Sequence, residues 1–213
     1  MFVGDRMSRP VITVSPDDPV QDVLAMFNKE HIRRAPVMKK GKLVGVVSQT
    51  DLLNASPSKA TSLSIWEMNY LVSKITVKHV MTKKVITVDV DTPIEEAARI
   101  MADNKIGGMP VMNNGRVAGV ITETDLFKIF LELMGARQKG TRVTATVEEK
   151  RGALARVTKA IAAHGGNFIS FGVFSGPDVN SKVVTFKVDG INKDGIKKAL
   201  KDVVIKFWDI RQG

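Results

Sequence analysis

Two stretches of the chain spell the same loop, GVVSQTDLL at residues 45–53 and GVITETDLF at residues 119–127. Each runs from glycine through two β-formers to a hydroxyl residue, and reaches an aspartate three residues later. Sliding the chain against itself by 74 positions extends the match without a gap, residues 3–53 on 77–127, with about a third of the pairs identical. Val11-Ile12-Thr13-Val14 falls on Val85-Ile86-Thr87-Val88, Pro36-Val37-Met38 on Pro110-Val111-Met112, and Gly41 and Gly45 on Gly115 and Gly119. A gapless match of that length is a duplicated structural unit, and it governs the reading of everything else.

Each copy reads locally as strand, helix, strand, strand, helix. VITV is a β-rich tetrapeptide. Thr92-Pro93-Ile94-Glu95 predicts a capping box with proline at the first helical position, and Asp18-Pro19-Val20-Gln21 stands in its place in the first copy. The helices that follow set Val20, Val23, Leu24 and Phe27 on one face, and Ile94, Ala97, Ala98 and Met101 on the other copy's face. Asn114-Gly115 marks a two-residue hairpin turn, and Lys40-Gly41 is its weaker counterpart. Ser48 and Thr122 then stand where a strand ends and a helix begins, with Asp51 and Asp125 in the first helical turn. Locally, that pattern caps a helix and places a carboxylate at the positive end of its dipole. Met7 and Met81 open the two copies and read as packing residues. A unit of about 50 residues buries too little to stand alone, so two copies are expected to share one core.

Between the copies, Asn54-Ala55-Ser56-Pro57-Ser58 breaks the chain. Ser64 to Lys74 then predicts a helix with Ile65, Trp66, Met68 and Leu71 as its apolar residues. After Gly135, Ala136 to Gly140 is a polar linker. From Thr141 the pattern changes: a strand carrying Val143, Ala145 and Val147; a helix opening at Gly152 with Leu154, Val157 and Ile161 on one side; strands at Asn167–Ser175 and Lys182–Val188; a helix through Ile196 and Leu200; and a last strand at Val203–Ile210. This order, βαββαβ, is the ferredoxin-like split βαβ. Phe168 and Phe174 on one parity of the third segment, and Ile169, Phe171 and Val173 on the other, predict a strand apolar on both faces.

The duplicated unit, with xPVM before its turn and G-h-h-[ST]-x-x-D at its close, resembles the CBS domain, which occurs in tandem pairs called Bateman modules. The tail resembles the ACT domain, a small regulatory unit that often binds amino acids. Together the parts resemble the acetoin-utilisation accessory proteins of bacteria. The resemblance implies an α+β protein: CBS repeats at 1–61 and 77–135 related by a pseudo-twofold, a helical insertion at 62–76, a linker at 136–140 and a ferredoxin-like ACT domain at 141–213. It implies a regulatory sensor rather than an enzyme, with an adenine nucleotide (AMP, ADP, ATP or S-adenosylmethionine) between the repeats. Asp51 and Asp125 would accept the ribose diol, with Ser48 and Thr122 beside them. A carboxylate suits vicinal hydroxyls because it is acceptor-only, with two oxygens to span them. His31, Arg33, Arg34, Lys78 and His79 would reach the phosphates. The second copy has Gly107-Gly108 where the first has Arg33-Arg34, so the two sites are expected to be unequal toward phosphate. In the tail, Gly152, Ala153 and Asn167 are the expected contacts of an amino acid, although the proline usual before that glycine is missing from Glu149-Lys150-Arg151-Gly152. A pure dimerisation domain is the alternative.

Composition sets the outer limits. Cysteine is absent, which removes disulfides, thiolate metal sites and a cysteine nucleophile. No His, Asp and Ser fall into a catalytic pattern, and no metal-ligand cluster is spelled. No apolar run approaches a membrane span, and the opening MFVGDRMSRPVITV has no signal-peptide pattern, so a cytoplasmic protein is expected. Both modules present sheet or helix surfaces that want covering, so a homodimer with a further protein partner is expected. The net charge of +10, with a pI near 9.8, favours anionic partners. The charge is scattered rather than gathered into a tract, which makes a nucleic-acid-associated regulator the rival reading and a ligand-free scaffold the other.

Overall fold

The computed structural model describes residues 1–55 and 74–213, and the helix expected from Ser64 lies outside the described residues except at Lys74. The chain divides into two compact units, Met1–Leu126 and Phe127–Gly213.

The first unit holds the duplication. Copy one is built from α1 (Val3–Arg6), α2 (Val20–Lys29), β1 (Arg34–Lys39), β2 (Lys42–Ser48) and α3 (Gln49–Asn54). Copy two repeats it as α4 (Val77–Val80), β3 (Val88–Asp89), α5 (Ile94–Asn104), β4 (Gly108–Asn113), β5 (Arg116–Thr122) and α6 (Glu123–Leu133), the last running on into the second unit. The hairpins β1–β2 and β4–β5 are antiparallel and carry the same bulge, at Val37/Met38 and at Val111/Met112. Both turns place their two central residues at positive φ, Lys40 and Gly41 at 49° and 76°, Asn114 and Gly115 at 48° and 75°. That is the twist that lets a two-residue turn join right-handed strands.

Two local expectations shift. The VITV segments pair only at their ends: Val14 forms a single bridge to Val37, and β3 is two residues long, parallel to β4. Only that end meets the hairpin, where Val14 accepts from Met38 N at 2.8 Å. Pro19 and Pro93 occupy the N-cap positions of α2 and α5 rather than the first helical turn, and no side chain caps either helix. The Thr92 hydroxyl accepts instead from Asp89 N at 3.1 Å, which steadies the turn ahead of the helix.

The opening segments of the two copies are exchanged. Val3 N donates to Thr92 O at 2.9 Å, Gly4 N to Val90 O at 2.8 Å, and Ser8 and Val120 pair through both backbone groups, so α1 lies on copy two. In mirror fashion Val77 N donates to Asp18 O at 3.0 Å, Lys78 N to Pro16 O at 2.9 Å, and Thr82 pairs with Val46, so α4 lies on copy one. Val77 is accordingly part of the copy-one core, with Val20, Val23, Phe27, Val37, Val47 and Leu52. Met7 rests its thioether on Gly119 and Met81 on Gly45, where any side chain would collide. Burying each of the large apolar residues contributes about 1.5–3 kcal/mol.

The second unit folds from β6 (Thr141–Glu148), α7 (Ala153–Ala163), β7 (Asn167–Ser175), β8 (Ser181–Asp189), α8 (Lys193–Leu200) and β9 (Lys206–Gln212). Its antiparallel sheet has the order β7-β8-β6-β9. Val143, Ala145, Val147, Val184, Phe186 and Val188 face Val157, Ile161, Ile196 and Leu200 of the two helices. Leu154, expected on the buried side, is exposed, and Ala153 takes its place. A bulge between Phe168 and Ser170 resets the alternation of β7. Phe168 and Phe171 then both reach the core, where Phe171 stacks on Phe186 with centroids 5.7 Å apart. Phe174 and Val173 remain half exposed. On the opposite face of the sheet, Lys187 is buried and donates to Gly135 O at 3.1 Å and Gln138 O at 2.7 Å, holding the linker down.

Candidate functional site

The two aspartates are set by twin caps. At the start of α3, Asp51 Oδ2 accepts from Ser48 N at 2.8 Å and from Ser48 Oγ at 2.7 Å, while Ser48 Oγ accepts from Asp51 N at 3.2 Å. At the start of α6, Asp125 Oδ2 accepts from Thr122 N at 3.0 Å and Thr122 Oγ1 at 2.7 Å, and Thr122 Oγ1 accepts from Asp125 N at 3.3 Å. The local capping reading therefore holds in both copies. It also fixes the chemistry of what is left. The capping bonds end on Oδ2, so Oδ1 of each carboxylate is not part of the cap. Each hydroxyl donates its hydrogen bond to the carboxylate, so toward anything else it can only accept. Asp51 is half-buried and Asp125 is 7% exposed.

Arg34 connects the copies. It begins β1 directly opposite Ser48, and its Nη1 donates to Gly108 O at 3.1 Å. Gly108 is the residue that the 74-residue offset places on Arg34 itself. The guanidinium lies beside Gly107, the residue that the same offset places on Arg33. A Cβ on Gly107 would lie 2.5 Å from Arg34 Nη2 and 2.9 Å from Glu123 Oε2, so the glycine admits both groups. Burial pulls the Arg34 guanidinium below its ordinary range; Glu123 and Asp51 push it back up and Arg33 adds to the lowering. Arg33 is exposed, and its carbonyl accepts from Gln49 N at 2.8 Å, as the Gly107 carbonyl does from Glu123 N at 3.2 Å. Ser48, Asp51, Arg33, Arg34, Glu123 and the Gly107-Gly108 pair thus form one polar seam.

The remaining expected residues have other local partners. His31 ends α2 in the left-handed conformation, φ 53°, as Lys105 does after α5 at 54°. Lys78 pairs with Asp17 at 3.3 Å. His79 accepts through Nδ1 from Thr76 N at 3.1 Å, the counterpart of Asp5, which accepts from Phe2 N at 2.8 Å. In the second unit, Gly152 takes φ 77° ahead of α7 and Ala153 is buried. Gly152 follows the end of β6, whereas Asn167 pairs with Asp189 at the end of the sheet where β6 begins. Within one chain these residues stand at opposite ends of the sheet and make no single site. His164 bonds through Nδ1 to Ala160 O at 2.9 Å, closing its own helix. Among the described residues no three His, Asp or Glu gather as a metal site, and no helix is long and apolar enough to cross a membrane.

The sequence reading missed Glu123. Its signal was a pair of exchanges at related positions, Gln49 to Glu123 and Arg33-Arg34 to Gly107-Gly108, which compensate in charge only if the copies face each other.

The CBS domain profile matches residues 3–58 and 77–132, the two copies of the repeat. The chain belongs to the CBS-domain family. As a CBS pair, the first unit is a regulatory, non-catalytic module. An uncharacterised protein of Methanocaldococcus jannaschii, MJ1225, is 30% identical over 136 residues, which is 60% of this chain and 46% of that protein. The chain therefore spans under half the length of this relative. Among solved structures, the CBS domain pair of protein MJ0100 in complex with 5′-methylthioadenosine and S-adenosyl-L-methionine is 28% identical with a TM-score of 0.52, covering 65% of this chain and 98% of that one. A Vibrio cholerae protein ascribed to acetoin utilization (AcuB) is 28% identical with a TM-score of 0.53, covering 65% of this chain and 96% of that one.

Proposed function

We propose that the CBS pair senses an adenosyl compound, a nucleotide or an S-adenosyl metabolite, at the polar seam, and that the second unit is an ACT-type ferredoxin-like domain. Asp51 and Asp125 accept the ribose diol, and Ser48 and Thr122 accept a further ribose hydroxyl. Arg33 and Arg34 supply the cations for a phosphate, which leaves His31, Lys78 and His79 in supporting places. Residues 1–61 and 77–135 are the sensing repeats and 141–213 the tail. The tail joins two chains through its exposed sheet residues, Phe174 and Trp208 among them, and passes the ligand signal to a partner in carbon metabolism such as acetoin use. The observation that carries the reading is the twin caps, which set a carboxylate and a hydroxyl at the same place in both copies of a CBS pair like the one solved with two adenosyl ligands.

Isothermal titration with 5′-methylthioadenosine, S-adenosylmethionine, AMP and ATP tests it, together with Asp51→Asn and Asp125→Asn. Asparagine keeps an acceptor for the cap and loses the charge. A charge-assisted bond is worth about 1.5–3 kcal/mol, so the variant at an occupied site loses affinity about 10- to 100-fold. Binding of none of the four, or full affinity in both variants, refutes the site.

A further inference from the structure

The seam is unequal in charge, and one residue decides how. Copy one contributes Arg33, Arg34 and Gln49, whereas copy two contributes Gly107, Gly108 and Glu123. The fold brings these exchanges to one point. Arg34 Nη1 is held by Gly108 O at 3.1 Å, and the place where a Gly107 side chain would begin is flanked by Arg34 Nη2 at 2.5 Å and Glu123 Oε2 at 2.9 Å. We propose that Glu123 is a specificity-determining residue, the resident counter-ion of Arg34, and that it sets how much the seam gains from negative charge on a ligand. This rests on reading the seam as an adenosyl site.

The physical basis is competition. Arg34 without ligand already faces a carboxylate, and Asp51 adds a second attraction. A phosphate approaching Arg34 gains the guanidinium but meets Glu123 as a like charge. A neutral nucleoside meets neither effect. Glu123 therefore lowers the preference for a phosphorylated ligand over its uncharged parent, and leaves binding of the nucleoside portion alone. The half-buried setting of Arg34 makes the effect larger than between charges in open water. Copy one has the uncharged Gln49 at the related position, so the counter-ion comes from copy two alone.

The test is the ratio of affinities for AMP and adenosine, which differ only in the phosphate, measured by titration at low salt on the full chain. Glu123 is exposed, so Glu123→Gln retains the fold, which its circular dichroism verifies. The expected result is an AMP-to-adenosine preference raised about tenfold in E123Q, with adenosine affinity unchanged within twofold. The gain shrinks at high salt and disappears in the double variant E123Q/R34Q. If the native chain binds both ligands and E123Q leaves the ratio as it was, the counter-ion role is overturned while the adenosyl site stands. If the native chain binds neither ligand, the site reading falls and this proposal with it.

Discussion

Replacing Gly119 by alanine is the sharpest probe of the exchanged opening segments. Gly119 sits in the middle of β5 with no positive φ to excuse it, so its backbone would accept alanine and gain about 0.4–1 kcal/mol from a stiffer unfolded chain. The sign is reversed by Met7. The new Cβ would run into the Met7 sulfur and lie 2.7 Å from Cγ and 3.1 Å from Cβ. Only the last of these is tolerable, so the thioether has to leave its place. Met7 is 9% exposed, and expelling a buried side chain of that size costs about 1.5–3 kcal/mol. The net expectation for Gly119→Ala is a loss of about 1–2 kcal/mol. Shortening the partner in Met7→Ala costs about 2 kcal/mol or more on its own through the cavity it leaves. In that background the alanine at 119 meets only the Cβ of residue 7, at 3.1 Å, and its penalty vanishes or turns into a slight gain. Urea unfolding read by hydrogen exchange in peptides from β4 and β5 isolates the first unit, and the coupling energy is expected at about 1.5–2.5 kcal/mol. Equal penalties in the two backgrounds would refute the exchange of segments. At Gly45 the rescue is partial, because a Cβ there meets Thr82 O at 3.1 Å as well as the Met81 sulfur at 2.7 Å, and the carbonyl cannot move aside.

Lys187→Met leaves the Gly135 and Gln138 carbonyls without their donor, and is expected to destabilise the second unit by about 1–3 kcal/mol, with faster exchange over residues 134–140 as the readout. Asp209 gives a pH signature. Its hydrogen bond from Arg211, helped by Arg142, holds the carboxyl below its ordinary value. A depressed folded value means stability that is present above about pH 4, the unfolded value, and lost as pH falls through the folded one. Asp209→Asn flattens the acid side of the urea-midpoint profile for the second unit; an unchanged slope below pH 4 would show the pairing to be idle.

The parts of this fold legible in the sequence are those set by neighbours along the chain. Asn114-Gly115 dictates its turn through the φ values it tolerates, and Ser48 with Asp51 dictates a cap through a three-residue reach. The 3.6 spacing of Val20, Val23 and Phe27 names the buried face of α2. What escaped depends on distant partners. Strict alternation put Phe171 and Phe168 on opposite faces of β7, and one bulged residue joined them. VITV has the composition of a strand, yet only Val14 and Val88 find a hairpin edge to pair with. The helix-start prolines stand one position earlier than expected because the side chains before them serve the preceding turns, Thr92 accepting from Asp89 N and Asp18 from Ser15 N. Glu123 read as one more surface charge, since nothing local reveals that Arg34 comes from the other copy to meet it.

Because α1 covers copy two and α4 covers copy one, neither half owns a complete interior. Cutting the chain between residues 56 and 73 would yield fragments that each lack a wall, and they would recombine by trading these arms. A lone repeat would reach the same state only by clasping its twin, which makes a reciprocally swapped homodimer the natural ancestor of the fused pair. In the fused chain the exchange welds the halves into one cooperative unit: loosening either one strips cover from the other.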